Sequence, residues 1–272
     1  MEPGIYYGLA NSDYHANAGI SKTGLALFAK SPLHYWAGYL DPAKPEEAQT
    51  DAQKFGTLTH CAVLEAESLP LRYLVAPNDD GRTTLYKDAK AVAEKAGVEI
   101  IKPSLMAQAA LAASAVHQHS VAGELLVDGI AEASFYWEDP GSGVLCKARP
   151  DYMTSKGVLV DLKIVADGSM AAFQKAIANY KYHWQAAMGI DAYRAQYRKH
   201  PMGYVWIVQE KERPFATYLY QPCGALIEIG RREYQELLPR FAECLEKGVW
   251  PGPPTAIQTI ALPGWAMLEA VE

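Results

Sequence analysis

The 272-residue chain has only four cysteines, Cys61, Cys146, Cys223 and Cys244, far apart and with no CxxC pair. That excludes a zinc ribbon and a disulfide scaffold, and it suits a reducing cytoplasmic setting. No apolar run approaches the ~20 residues of a membrane helix. The opening MEPGIYYGLANSDYHA lacks a basic-then-apolar leader, so an intracellular protein with no membrane partner is expected. No GxGxxG, Walker A or G-x-S-x-G sequence occurs, which removes the usual support for a nucleotide-driven motor or a hydrolase elbow. An excess of positive charge is missing as well: 25 Lys and Arg stand against 31 Asp and Glu, a net charge of -6. A wholly basic surface is thereby excluded, but a local basic groove is not. Internal repeats and low-complexity tracts are also absent.

What is present is an ordinary globular mixture, 50% hydrophobic, 21% charged and 11% aromatic. A chain this long buries roughly three quarters of its unfolded surface, so it needs neither disulfide nor structural metal to fold. One domain over 1–272 is expected, with a mainly helical part (1–127), a sheet-and-helix part (130–247) and a tail (248–272). Ser21 reads as an N-cap before Leu25, Phe28 and Leu33, with Pro32 where that helix should stop or turn. Residues 41–50 read as a surface loop. A second helix is expected over 52–65 with Phe55, Leu58, Ala62 and Val63 buried, and Gly56 in it invites close packing. Helices over 85–96 and 105–126 follow. From 130 to 164 the pattern alternates in three runs separated by turn residues, which predicts a three-stranded meander. A long helix over 171–197, strands at YVWIVQE and FATYLY, and a helix over 225–247 complete a mixed α/β sheet flanked by helices.

The chemistry concentrates in Arg149-Pro150-Asp151, nine residues, then Asp161-Leu162-Lys163. On a strand, residues two apart share a face, so Asp161 and Lys163 project together while Leu162 enters the core. The short MTSKG turn region brings Asp151 back beside Asp161. Two carboxylates and an ammonium at one sheet edge suit a hard divalent cation such as Mg²⁺, with the lysine placed to act on water or phosphate. From these residues alone a second reading stays open, a strand-edge salt bridge with a turn aspartate nearby.

RPD…VDLK resembles the core of the PD-(D/E)XK nucleases, and within them the RecE (exonuclease VIII) type, relatives of the λ exonuclease and RecB nuclease domains. GISKTGLALFAKSPLHYW, FGTLTHCAVLE, YHWQAAMGIDAY and WIVQEKERPFATYLY with the later EKGVWPG match further segments, so the resemblance runs from about residue 5 to 265. It implies a PD-(D/E)XK core in which His60, Asp151, Asp161 and the Leu162 carbonyl hold Mg²⁺, with Mn²⁺ as the alternative. Lys163 would assist the attacking water, and Gln185 and Tyr193 would face the active site and the DNA. Glu132 would be a supporting or second-metal carboxylate. Lys54, Arg82, Lys87, Lys147, Arg149 and Lys175 are the expected phosphate contacts. Ser21 and Thr23, ahead of free helix N–H groups, are candidates for a terminal phosphate, with plain N-capping open beside that.

The activity implied is 5′→3′ digestion of linear double-stranded DNA that leaves a 3′ single strand for phage or prophage recombination. A trimeric or tetrameric homo-oligomeric ring and a single-strand annealing protein as partner are implied with it. The alternatives are a structure-specific endonuclease, a Cas4-like nuclease, a non-catalytic scaffold or DNA-binding member of the fold, and an unrelated α/β binding protein. The dispersed cysteines disfavour an iron–sulfur enzyme, and the intact Asp151, Asp161 and Lys163 set disfavours a silent one. His117 and His119, two apart on a helix, face different ways and make a poor metal pair.

Overall fold

The computed structural model describes residues 1–45 and 49–262. Side-chain caps set the helix starts of its N-terminal half. After β1 (Gly4–Tyr6) and α1 (Asn11–Ala16), the Ser21 hydroxyl accepts from the Gly24 N–H and opens α2 (Lys22–Lys30). Ser31 does the same for His34, with Pro32 at the first position of α3 (Pro32–Tyr39). Pro32 therefore starts a second helix. A first-turn proline lacks only an N–H that has no helical partner anyway. Leu33 lies on the exposed side of that second helix. Thr50 and Gln53 form a capping box for α4 (Asp51–Leu64), which buries Phe55, Leu58, Ala62 and Val63. Gly56 does not pack closely: a Cβ there meets nothing within 4 Å, and the residue faces open space instead.

A 3-10 turn (Ala66–Ser68) and α5 (Leu69–Arg72) lead into β2 (Tyr73–Val75). Then α6 (Thr84–Ala96), capped by Thr83, returns the chain to β3 (Glu99–Ile101), which runs parallel to β2. Strands this short carry too little alternation to be read from sequence. The helix expected over 105–126 is two, α7 (Pro103–Gln118) and α8 (Ser120–Leu125), because His119 Nδ1 accepts from the Ala122 N–H and restarts the turn.

Residues 130–164 do not make one meander. β4 (Gly129–Ala131), β5 (Ser134–Glu138), β6 (Leu145–Ala148), β7 (Tyr152–Thr154) and β8 (Val158–Val165) divide between two sheets. One has the order β1-β5-β6; the other holds β4, β7 and β8 beside the later β9 (Gly203–Glu210) and β10 (Thr217–Tyr220), in the order β10-β9-β8-β7-β4. The chain changes sheet at Glu132, whose φ of 55° turns the backbone, and again through Arg149-Pro150-Asp151. Pro150 has no N–H to give a ladder, which suits a crossing point.

The helix expected over 171–197 breaks at Lys181 (φ 56°) into α9 (Met170–Tyr180) and α10 (Tyr182–Tyr197). These form the crossover between β8 and β9, which pair in parallel from Val158↔Gly203 to Val165↔Glu210. Both faces of that pair are buried. Leu159, Trp206 and Val208 join the main core with Phe28, Phe135 and Trp184, whereas Val160, Leu162 and Ile207 pack with Ala62, Val63 and Val116. The period of two therefore puts Asp161 and Lys163 on the face covered by α10. The last helix, α11 (Gly224–Lys247), crosses α10 at Gly230, where a Cβ would lie 2.3 Å from the His183 carbonyl oxygen. Of the tail expected over 248–272, residues 263–272 lie outside the described residues, as do 46–48 of the expected loop. Among the described residues no helix is long and apolar enough to cross a membrane.

Candidate active site

The antiparallel register Tyr152↔Val160, continued by one residue, sets Asp151 opposite Asp161. The Leu162 N–H donates to Asp151 Oδ2 at 2.6 Å, which fixes that carboxyl against β8. Asp161 has no exposed surface, and its Oδ1 accepts from Gln185 Nε2 at 2.9 Å. Its Oδ2 forms an ion pair with Lys163 Nζ at 2.8 Å. Lys163 Nζ also donates to Gln185 Oε1 at 3.2 Å and sits 4.6 Å from the centre of the Tyr182 ring. His60 of α4 brings Nδ1 to 3.7 Å from Asp151 Oδ2.

The electrostatics divide the two carboxyls. Burial and the neighbouring Asp161 charge push Asp151 well above the usual carboxylate range. Burial pushes Asp161 the same way, but the Lys163 ammonium and the hydrogen bonds it receives outweigh this and hold it below its ordinary value. Asp151 is thus the more readily protonated of the two, and Asp161 the one that keeps its charge to lower pH. Burial opposes the Lys163 ammonium, but Asp161 and Asp151 together hold its pKa above the ordinary lysine value. Burial next to Lys163 lowers His60 to about 4, against the raising effect of Asp161 and the Leu162 backbone. Its ring is therefore neutral at neutral pH and keeps a nitrogen lone pair free. An NMR titration of the metal-free chain is expected to put the His60 midpoint near 4. Proton competition for that nitrogen then begins only below about pH 5, one unit above the midpoint. A midpoint at or above the ordinary imidazole value overturns the assignment of a neutral ring.

These donors fit a hard divalent cation. The decisive feature is the donor set itself: two facing carboxyl groups, a neutral imidazole and a backbone carbonyl converge on one point, the oxygen-rich combination that a hard cation takes. Asp151, Asp161, the neutral His60 and the Leu162 carbonyl would hold the ion. Among the described residues no three His, Cys, Asp or Glu side chains form a ready-made cage. The Lys163 ammonium stands beside the same Asp161 oxygen that a metal would take.

Two cavities flank this cluster. One, of about 340 Å³, is lined by Ser21, Lys22, Thr23, Tyr182 and Gln185; the other, of about 700 Å³, by Gly56, Thr57, His60, Glu65 and Leu162. Asn11, Glu132, Arg149 and Lys163 line both. Ser21 and Thr23 thus stand in the site cleft, with the Ser21 hydroxyl used as a cap. Glu132, its pKa raised by burial, accepts from Arg149 Nη1 at 3.4 Å.

Several expected residues are placed differently. Arg149 is only 6% exposed and is held by Ser134 Oγ, the Leu9 carbonyl and the Tyr14 ring, so it is chiefly a brace between the cavities. Lys147, 3% exposed, donates to the carbonyls of Tyr14 and Asn17 at 2.7 Å each, which ties down the N-terminal segment and leaves little ammonium for a phosphate. Arg82 is 92% exposed, pairs with Asp80 and lines neither cavity. Lys54 pairs with Glu99 at 3.6 Å, and Lys87 and Lys175 are exposed. Tyr193 is not brought to the carboxylates: eight residues carry it about 12 Å along α10 from Gln185. There its hydroxyl lies against Gly157, where a Cβ would sit 2.5 Å away. Sequence reasoning missed Lys22 and Tyr182. The Lys22 Nζ donates to the Tyr180 carbonyl at 3.1 Å and lies 5.5 Å from the Tyr182 ring centre. Lys22 adjoins the capping Ser21, a usable signal; the Tyr182 contact depends on the break at Lys181 and leaves none.

The chain belongs to the PDDEXK-like proteins. The matching family is described as "PDDEXK-like domain of unknown function (DUF3799)" and spans residues 21–262. The fold is shared with the crystal structure of a "Putative exonuclease" from Eubacterium rectale. That similarity has a TM-score of 0.65 at 12% identity and covers 97% of this chain and 98% of the other. No curated protein matches.

Proposed function

We propose that the chain is a divalent-metal-dependent deoxyribonuclease that degrades linear double-stranded DNA from its ends, 5′→3′, leaving a 3′ single strand for recombination. The clustering of buried Asp161 with Asp151, His60 and the Lys163 ammonium at the edge of an open cleft carries this reading. Polarity, a trimeric or tetrameric ring, and an annealing protein as partner belong to the same proposal and are supported by the resemblance to RecE-type enzymes. Mg²⁺ is the proposed ion, with Mn²⁺ as a substitute, since both accept oxygen-rich sites.

A bound divalent ion would supply Lewis acidity and neutralise phosphate charge. The chain's own residues do the rest. Gln185 ties both partners at once, donating to Asp161 Oδ1 and accepting from Lys163 Nζ, which restrains the lysine within the cleft. The Tyr182 ring backs the ammonium from a second side. Thus held, Lys163 presents its charge to a non-bridging phosphate oxygen and orients the attacking water in line with the leaving group. Lys22, lowered to about 8 by burial and by Lys163, adds a second cationic group to the same cavity.

The test is digestion of a linear duplex labelled at either end, with Mg²⁺ or EDTA, beside a sealed circle. Mg²⁺-dependent loss of the 5′ label from linear DNA alone is the expected result. Cutting of the circle replaces the exonuclease reading with an endonuclease, and no cleavage in Mg²⁺ or, in a further arm, Mn²⁺ by a folded sample removes the catalytic claim.

A further inference from the structure

A second polar surface lies at the far end of α10. A cavity of about 360 Å³ is walled by Tyr7, Tyr193 and Tyr197 with Ile130, Thr154 and Lys199. Tyr7 is 54% and Tyr197 36% exposed, their hydroxyls are 3.4 Å apart, and the Tyr193 and Tyr197 rings pack with centroids at 4.4 Å. Lys199 is shared with a neighbouring groove of about 610 Å³ that also holds Arg194, Arg198, His200 and Arg231. Asp128 in the tyrosine cavity and Glu138, Asp139 and Asp191 in the groove are the opposing charges. Two of these carboxylates are committed inward. Asp139 accepts from the Gly141 and Ser142 N–H groups and the Ser142 hydroxyl, and Asp191 is held by Arg231 and Tyr234. Arg198, Lys199 and His200 are exposed and have no ion pair among the described residues. Dipole compensation at a helix C-terminus accounts for a cation or two there, but not for exposed tyrosines beside them.

The surface neighbours the larger site cavity along the chain. Tyr7 and Ile130 of the tyrosine cavity are followed directly in the chain by Gly8 and Ala131 of the larger site cavity. Exposed aromatic faces next to unpaired cations are the combination that holds unpaired nucleotides, the rings stacking on bases and the cations meeting phosphates. A duplex offers its bases no such access.

We propose that Tyr7, Tyr197 and the Arg198-Lys199-His200 run form a track for single-stranded DNA leading away from the active-site cleft. From Gln185 to Tyr197 α10 rises about 18 Å, which sets the surface well apart from the carboxylate cluster. The direction of the track rests on the nuclease reading; the binding surface itself does not.

Fluorescence anisotropy of the full chain with a labelled twelve-residue oligo(dT) in EDTA tests it without any catalysis. The exposed double variant R198E/K199E is expected to weaken binding at least tenfold. Tyr7→Ala is expected to weaken it at least fivefold, while Tyr7→Phe keeps parental affinity because the ring remains. An abasic oligomer of the same length binds the parent at least tenfold less tightly. Variants within twofold of the parent, or equal affinity for the abasic strand, overturn the track. Thermal melting of each variant excludes unfolding as the cause. If the parent fails to digest DNA but oligo(dT) binding responds as stated, the nuclease proposal falls and the surface stands; digestion with unresponsive binding does the reverse.

Discussion

Asp161→Asn is expected to lower cleavage about 10³-fold, equivalent to roughly 4 kcal/mol of barrier, and to remove measurable Mg²⁺ or Mn²⁺ binding in calorimetry. The substitution keeps shape. The carbonyl of the introduced amide can still accept from Gln185 Nε2, so the tie between β8 and α10 persists and folding is retained. The negative charge facing Lys163 and Asp151 is what disappears. A secondary sign follows from the pairing of the carboxyls. The Asp161 charge helps raise Asp151, so in the variant Asp151 should titrate at a lower pH than in the parent. A variant that cuts within tenfold of the parent sinks the assignment of Asp161 as a metal-holding carboxylate.

Lys163→Met is expected to reduce cleavage by a similar factor while acting on metal affinity in the opposite direction. In the parent the ammonium stands 2.8 Å from Asp161 Oδ2 and competes with any cation for that oxygen. Methionine fills much of the same apolar path against Tyr182 without the charge, so the divalent ion should bind at least as tightly as in the parent. Loss of activity with retained or improved metal binding assigns Lys163 to water and phosphate. Loss of both together assigns it to the architecture of the site, and the role proposed for it then fails. The two variants thus separate holding the ion from acting on the substrate, although their residues are two positions apart on one strand face.

The parts of this site readable from sequence are those set by local geometry. The period of two in VLVDLKIV places Asp161 and Lys163 on one side of a strand, and a short turn returns Asp151 beside them. The caps at Ser21 and the end of α11 at Gly248 (φ 65°) are equally local. Alternation says nothing, however, about which sheet a strand joins. The run from 130 to 164 therefore reads as one meander, whereas Glu132 and Pro150 carry the chain from one sheet to another and back. Helical periodicity likewise continues through Lys181, where one left-handed residue splits the helix and turns Tyr182 onto Lys163.

Charge shows the same division most sharply. Lys147, Arg149 and Arg82 are alike in sequence as expected phosphate contacts. The fold ties Lys147 to carbonyls 133 and 130 residues earlier, packs Arg149 over Tyr14 as a brace, and leaves Arg82 in solvent. The family membership, the Asp151, Asp161 and Lys163 set and most helices follow from the sequence by itself, because motif spacing and backbone periodicity act over a few residues. Which carboxylate meets the ammonium, which cations stay free, and where α10 delivers its tyrosines were decided only by the tertiary structure. Those properties depend on partners far away in the chain, and burial is what turns proximity into charge, pKa and affinity.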